Sequence, residues 1–149
     1  MRRHPALRRL TSEHHTGLVI ARRARQASRE GGPAQSVAWG NVKDRFRAEL
    51  EGHFQREERG LLPVMRTLGE TALVERTLHE HKALRALIAE DRIENLGPFA
   101  DLLDAHIRFE EQVLFDSAQR RLDPTLWAAL ERVLEEGQQG ACGTDRSNG

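Results

Sequence analysis

The sequence predicts an all-α protein, an up-down-up-down four-helix bundle with a short C-terminal fifth helix. Apolar residues recur at steps of three and four along four long stretches, the period of an amphipathic helix. Short turns bearing Gly and Pro separate those stretches, and short connections make antiparallel neighbours. Almost nothing between them favours strands.

The first helix is expected over residues 5–29, with Glu30-Gly31-Gly32-Pro33 ending it. Leu7, Leu10, Leu18 and Ala21 form its apolar stripe, and His14 sits near the middle of that stripe. The second is expected over 36–68, where Trp39, Val42, Phe46, Leu50, His53, Glu57, Leu61, Val64 and Leu68 share a face. Pro63 should kink it or loosen its last turn. The third runs from about Gly69 to Arg92 with Val74, Leu78, His81, Leu84 and Ile88 inward. Asn95 to Pro98 reads as a turn, with Pro98 suited to a first helical turn.

The fourth helix, 98–121, carries Phe99, Leu102, Leu103, His106, Glu110, Val113 and Leu114 on its stripe. Asp123-Pro124 is an N-cap and N1 pair that opens the fifth, expected to reach about Glu136. Residues 1–137 are therefore read as one bundle domain, and 138–149 as a disordered tail.

Length and composition narrow the class. The chain has 149 residues, 38% hydrophobic and 31% charged, enough for a single domain with a core. Its formal net charge is zero, which argues against a protein built to grip nucleic acid. No apolar run approaches the roughly 20 residues that span a bilayer, and the one cysteine, Cys142, precludes an internal disulfide. A cytoplasmic location is expected.

The chemistry lies in a repeat. His-X-X-X-Glu-Glu occurs as His53 to Glu57-Glu58 and again as His106 to Glu110-Glu111. Glu-His occurs as Glu13-His14 and Glu80-His81, each with the His on a core stripe. Residues four apart share a helix face about one turn apart, so each His–Glu pair can hold adjacent corners of one site. The chain thus reads as two similar hairpins that deliver four histidines and two carboxylates to one core.

Buried carboxylates cost several kcal/mol unless their charge is compensated, and a metal centre compensates both at once. A nitrogen–oxygen donor set without sulfur suits iron, with manganese and zinc as alternatives. The expected ligands are His14, His53, Glu57, His81, His106 and Glu110, with His15 as the alternative to His14. Two ions fit this donor count, with the two glutamates and an oxo or hydroxo group bridging them. Glu58 and Glu111 lie about 100° off the stripe and read as solvated or salt-bridged, though able to reach a second layer of the site.

These residues resemble the hemerythrin-like, or HHE cation-binding, family. The resemblance rests on Glu13-His14-His15, on His53 to Glu58 running into Leu61-Leu62-Pro63, on Glu80-His81, and on His106 to Glu111 running into Leu114-Phe115. It implies a non-haem di-iron site in a four-helix bundle, with dioxygen, peroxide or nitric oxide as partner. Oxygen-carrying members have a further histidine one turn before the residue matching His81; here that position is Thr77. The resemblance therefore implies an oxidant-binding or oxygen-sensing protein ahead of a simple oxygen store. A peroxide-consuming enzyme, or a redox-dependent partner-binding or iron-handling module using the Arg-rich first helix, are the rival readings.

Overall fold

In a computed structural model that describes residues 2–143, the chain is helical almost throughout, with no strand among the described residues. Helix α1 is Pro5–Glu30. Helix α2 spans 33–67 and is continuous through Pro33–Arg45, Phe46–Leu50, Glu51–Arg56, Glu57–Leu61 and Leu62–Thr67. Helix α3 is Thr71–Glu90, and α4 spans 96–121 as Leu96–Phe109, Glu110–Leu114 and Phe115–Arg121. Helix α5 is Pro124–Gly143.

The ends follow local chemistry. The His4 side chain accepts from the Ala6 N–H at 3.1 Å, and its ring stacks on Trp127 at 3.7 Å, so it fastens α1 to α5. The α2 terminus closes as a Schellman turn. Glu70 N–H bonds Met65 C=O, Gly69 N–H bonds Arg66 C=O, and Gly69 takes the positive φ of 85° that the turn demands. Asp123 caps α5 by accepting from Leu126 N–H at 2.9 Å.

Three expectations change. Asn95 to Pro98 is not an open turn: Ile93–Asn95 forms a 3₁₀ turn and α4 already begins at Leu96. The fifth helix is not short, since Pro124–Gly143 takes in residues 138–143 of the expected tail. A glycine inside a helix costs about 1 kcal/mol, which weakens the helix without ending it. Residues 144–149 of that tail lie outside the described residues.

The third change concerns which residues are inside. Glu57–Leu61 and Glu110–Leu114 are π turns, closed by Leu62 N–H to Glu57 C=O and Phe115 N–H to Glu110 C=O. Each inserts one residue into the helical period and moves the buried stripe forward by one. Leu62 and Met65 are buried in place of the expected Val64 and Leu68, and Phe115 and Ala118 in place of Val113, which is 42% exposed. The first π turn also leads into Pro63 without breaking α2. Widening the turn relieves the clash its ring makes with the preceding turn.

Two apolar clusters fill the bundle on either side of a polar layer. Leu7, Leu10, Leu61, Met65, Val74, Leu114 and Phe115 belong to one, and Ile20, Val42, Phe46, Leu84, Phe99 and Leu103 to the other. Helix α5 closes the first cluster by lying against Gly60, where an added Cβ would come 3.2 Å from Leu130 and 3.3 Å from Leu134. A Gly60→Val protein should therefore lose about 1–3 kcal/mol in denaturant unfolding, by overpacking this contact. An unchanged midpoint would mean that α5 is free to move aside.

Candidate metal centre

The polar layer between the clusters consists of His14 from α1, His53 and Glu57 from α2, His81 from α3, and His106 and Glu110 from α4, all buried. Both carboxylates stand at the first residue of a π turn, and all four imidazoles turn Nε2 toward them. Around Glu110, His14 Nε2 lies at 2.8 Å, His106 Nε2 at 2.5 Å and His81 Nε2 at 3.4 Å. Around Glu57, His53 Nε2 lies at 3.2 Å, His81 Nε2 at 3.3 Å and His14 Nε2 at 3.9 Å.

Two sets of four donors result, His14–His53–Glu57–Glu110 and His81–His106–Glu57–Glu110, each within 4.8 Å and sharing both carboxylates. His15, the alternative to His14, is exposed on the outer face of α1, as His79 is on α3.

The layer is not self-sufficient in hydrogen bonds. Neither Glu57 oxygen meets an aligned donor, although the residue is wholly buried, and His106 Nε2 is also without one despite its approach to Glu110. Buried carboxylate oxygens in that condition need a cation, and the Nε2 lone pairs converge on the same space. The donor set therefore fits a metal cation.

In the metal-free protein, protons take that role. Burial works against charge on His81, but hydrogen bonds to Glu110, Glu57 and Glu58 overcome it and lift its pKa to about 11. His106 is likewise opposed by burial and lifted by Glu110 and Glu80 to about 9. His14 and His53 are raised as well, against burial, by the same two inner carboxylates. Burial alone would raise the Glu110 carboxyl, yet His106 and His14 hold it well below the usual range.

A second layer of carboxylates surrounds the histidines in a regular order. Glu13 on α1 faces His53 Nδ1 on α2 at 3.2 Å, and Glu58 on α2 faces His81 Nδ1 on α3 at 2.7 Å. Glu80 on α3 faces His106 Nδ1 on α4 at 2.8 Å, and Glu111 on α4 faces His14 Nδ1 on α1 at 3.5 Å. The first three contacts are hydrogen bonds in which one helix orients the histidine of the next, and the fourth closes the ring only at ion-pair distance. An Nδ1–H held by a carboxylate leaves Nε2 as the inward donor and fixes the plane of the ring.

An arginine then faces each outer carboxylate: Arg56 at Glu13, Arg85 at Glu58, Arg76 at Glu80 and Arg3 at Glu111. These guanidinium groups balance the outer ring, so the charge of Glu57 and Glu110 is left for protonated histidines or a cation to meet.

Sequence reasoning did not single out Glu13 and Glu80 for this role, and took Glu58 and Glu111 first as solvated or salt-bridged. The signal was present in the repeat, because the residue before each odd-helix histidine and the residue after each inner glutamate are all Glu. Thr77 is buried one turn before His81, and its hydroxyl donates to Leu73 C=O at 2.8 Å instead of turning inward.

No curated protein and no solved structure matches the chain. Residues 5–118, which contain every member of both carboxylate layers and all four inward histidines, match the hemerythrin HHE cation binding domain. The chain belongs to that family, and its buried histidine–glutamate cluster offers donor atoms that could hold a metal cation.

Proposed function

We propose that this protein is a di-iron protein that binds or reacts with a small oxidant, with oxygen binding or sensing as its role. The bundle on this reading runs up-down-up-down, so that α1 to α4 each present one histidine to the same layer. The observation that carries the proposal is the sharing of Glu57 and Glu110 between two donor sets that each add two histidines. Such sharing suits a pair of ions with bridging carboxylates better than one ion. His14 and His53 then serve one position, and His81 and His106 the other. Iron in such a site supplies reversible one-electron chemistry and affinity for small oxidants.

This chain's residues hold His53, His81 and His106 in one tautomer, exclude bulk water with the two apolar clusters, and supply two imidazoles to each position, which leaves room for a small ligand at both. Thr77 adds no donor, since its hydroxyl is committed to Leu73. Such open positions favour, as a second reading, consumption of peroxide over storage of oxygen.

Metal analysis after iron-replete expression, with visible spectra before and after anaerobic reduction, tests the proposal. About two irons per chain and a ferric band that bleaches on reduction are expected. His53→Ala and His106→Ala should each lower the bound iron to one per chain or less. Full retention in both variants would refute the ligand set, and a different resident metal would remove the oxygen chemistry. Peroxide turnover well above that of free iron would favour the second reading.

A further inference from the structure

We propose that the two cation positions are inequivalent, and that the outer histidine–carboxylate–arginine relays make them so. The His81/His106 position retains its ion and the His14/His53 position exchanges it. This rests on the two-cation reading above.

The inner donors do not distinguish the positions, since each has two imidazoles and a share of the same two glutamates. The outer layer does. On the His81/His106 side the Nδ1 atoms lie 2.7 Å from Glu58 and 2.8 Å from Glu80, within ordinary hydrogen-bond distance. On the other side the corresponding distances are 3.2 Å for His53 to Glu13 and 3.5 Å for His14 to Glu111. His14 Nδ1 is buried without an aligned partner, the one outer-facing histidine nitrogen of the four in that condition.

The next layer repeats the asymmetry. Arg85 forks between Glu58 at 2.8 Å and Glu51 at 2.9 Å, which fixes Glu58 from behind. It also lies over Phe54, 5.5 Å from the ring centroid, and Phe54 stacks on His81 at 4.0 Å. Arg76 bonds Glu80 at 3.2 Å while lying 3.9 Å over Phe109. The weaker side has a comparable stack, since Arg3 lies 5.6 Å over Phe115 and Phe115 stacks on His14 at 5.2 Å, but there no arginine facing an outer carboxylate bridges two carboxylates. Glu111 is met by Arg3 at 3.3 Å and by Thr11 at 3.1 Å, and Arg3 precedes α1, outside any helix. Glu13 is met by Arg56, and by Arg9 only at 4.0 Å.

An imidazole whose Nδ1–H is held by a fixed carboxylate is the more basic and the better aimed donor, and loss of such a partner costs about 10–100-fold in metal affinity. Arg85 is thus a positioning residue: it acts on the cation through Glu58 and His81.

The test is release of ferrous ion from the full-length protein, loaded anaerobically and mixed with excess ferrous chelator. Two phases of equal amplitude, one ion each, are expected. Arg85→Met and Glu58→Gln should accelerate the slow phase by about 10-fold or more and leave the fast phase unchanged. Arg85→Lys keeps the charge but loses the fork, so it should recover only part of the wild-type rate. Glu111→Gln should accelerate the fast phase alone, and it remains informative if the Arg85 variants fold poorly.

Release of both ions at a single rate overturns the inference, as does an Arg85→Met effect shared equally by both phases. Binding of fewer than two ions by the unaltered protein overturns the two-cation reading itself, and this inference with it.

Discussion

Glu110→Ala should strip the centre of both cations and leave the bundle folded but weakened. Glu110 is the most connected group of the layer, with His14, His81 and His106 all within 3.4 Å of its oxygens. Glu57 also reaches both donor sets, through His53 at 3.2 Å and His81 at 3.3 Å, but with two histidines in that range instead of three. Removing the carboxylate leaves positively charged imidazoles buried without their partner, and breaking such a pair costs about 3–5 kcal/mol. The metal-free variant should accordingly melt well below the metal-free wild type, and ferrous ion should raise its melting temperature little or not at all.

Glu110→Gln separates the two effects. It keeps the volume and removes the charge, so packing is preserved while cation binding is still lost. Isothermal titration and melting curves of the three proteins, with and without ferrous ion, measure both quantities. Two ions bound by Glu110→Ala at wild-type affinity would remove Glu110 from the site.

The inner layer was readable because its signal is local. His53 and Glu57, like His106 and Glu110, are four apart on stripes that are otherwise apolar, and a polar residue on such a stripe needs a reason. The outer layer was legible only in part: the repeat marks Glu13, Glu58, Glu80 and Glu111, but their pairings run between helices. Nothing in the spacing says that Glu13 meets His53 instead of solvent, or that Glu58 reaches His81; both depend on which helices adjoin and at what rotation.

The π turns were hidden for a different reason. Leu61-Leu62 and Leu114-Phe115 offer an apolar side chain in either register, so an ordinary α-helical stripe through Leu61 and Val64 satisfied the pattern equally well. Only the turns at Glu57 and Glu110 decide between them. They also set the carboxylates at the point where the helix is widest, which is where π turns are commonly found in functional sites.

Metal-free protein should be most stable in mildly acid solution and lose stability as the pH rises, while the benefit of added cation grows. The sign follows from the histidines. His106 and His81 are raised from 6.5 to about 9 and about 11 in the folded protein. Their contribution is complete below about pH 6.5 and is lost progressively as the pH climbs toward those values, because the folded state holds protons that the unfolded chain has released. The depressed carboxyl of Glu110 works in the opposite direction. Its contribution is present above the ordinary value of 4.5 and is lost as the pH falls through its lower folded value. The metal-free optimum therefore lies between about pH 4.5 and 6.5. A cation that binds the Nε2 lone pairs must displace the same protons, so its apparent affinity should rise with pH across the window in which the metal-free fold weakens. Melting temperatures at pH 6 and pH 9, with and without ferrous ion under anaerobic conditions, should diverge at the higher pH. A metal-free melting temperature that holds steady or rises over that interval, with a cation increment independent of pH, would show that protons and cations do not compete for this layer.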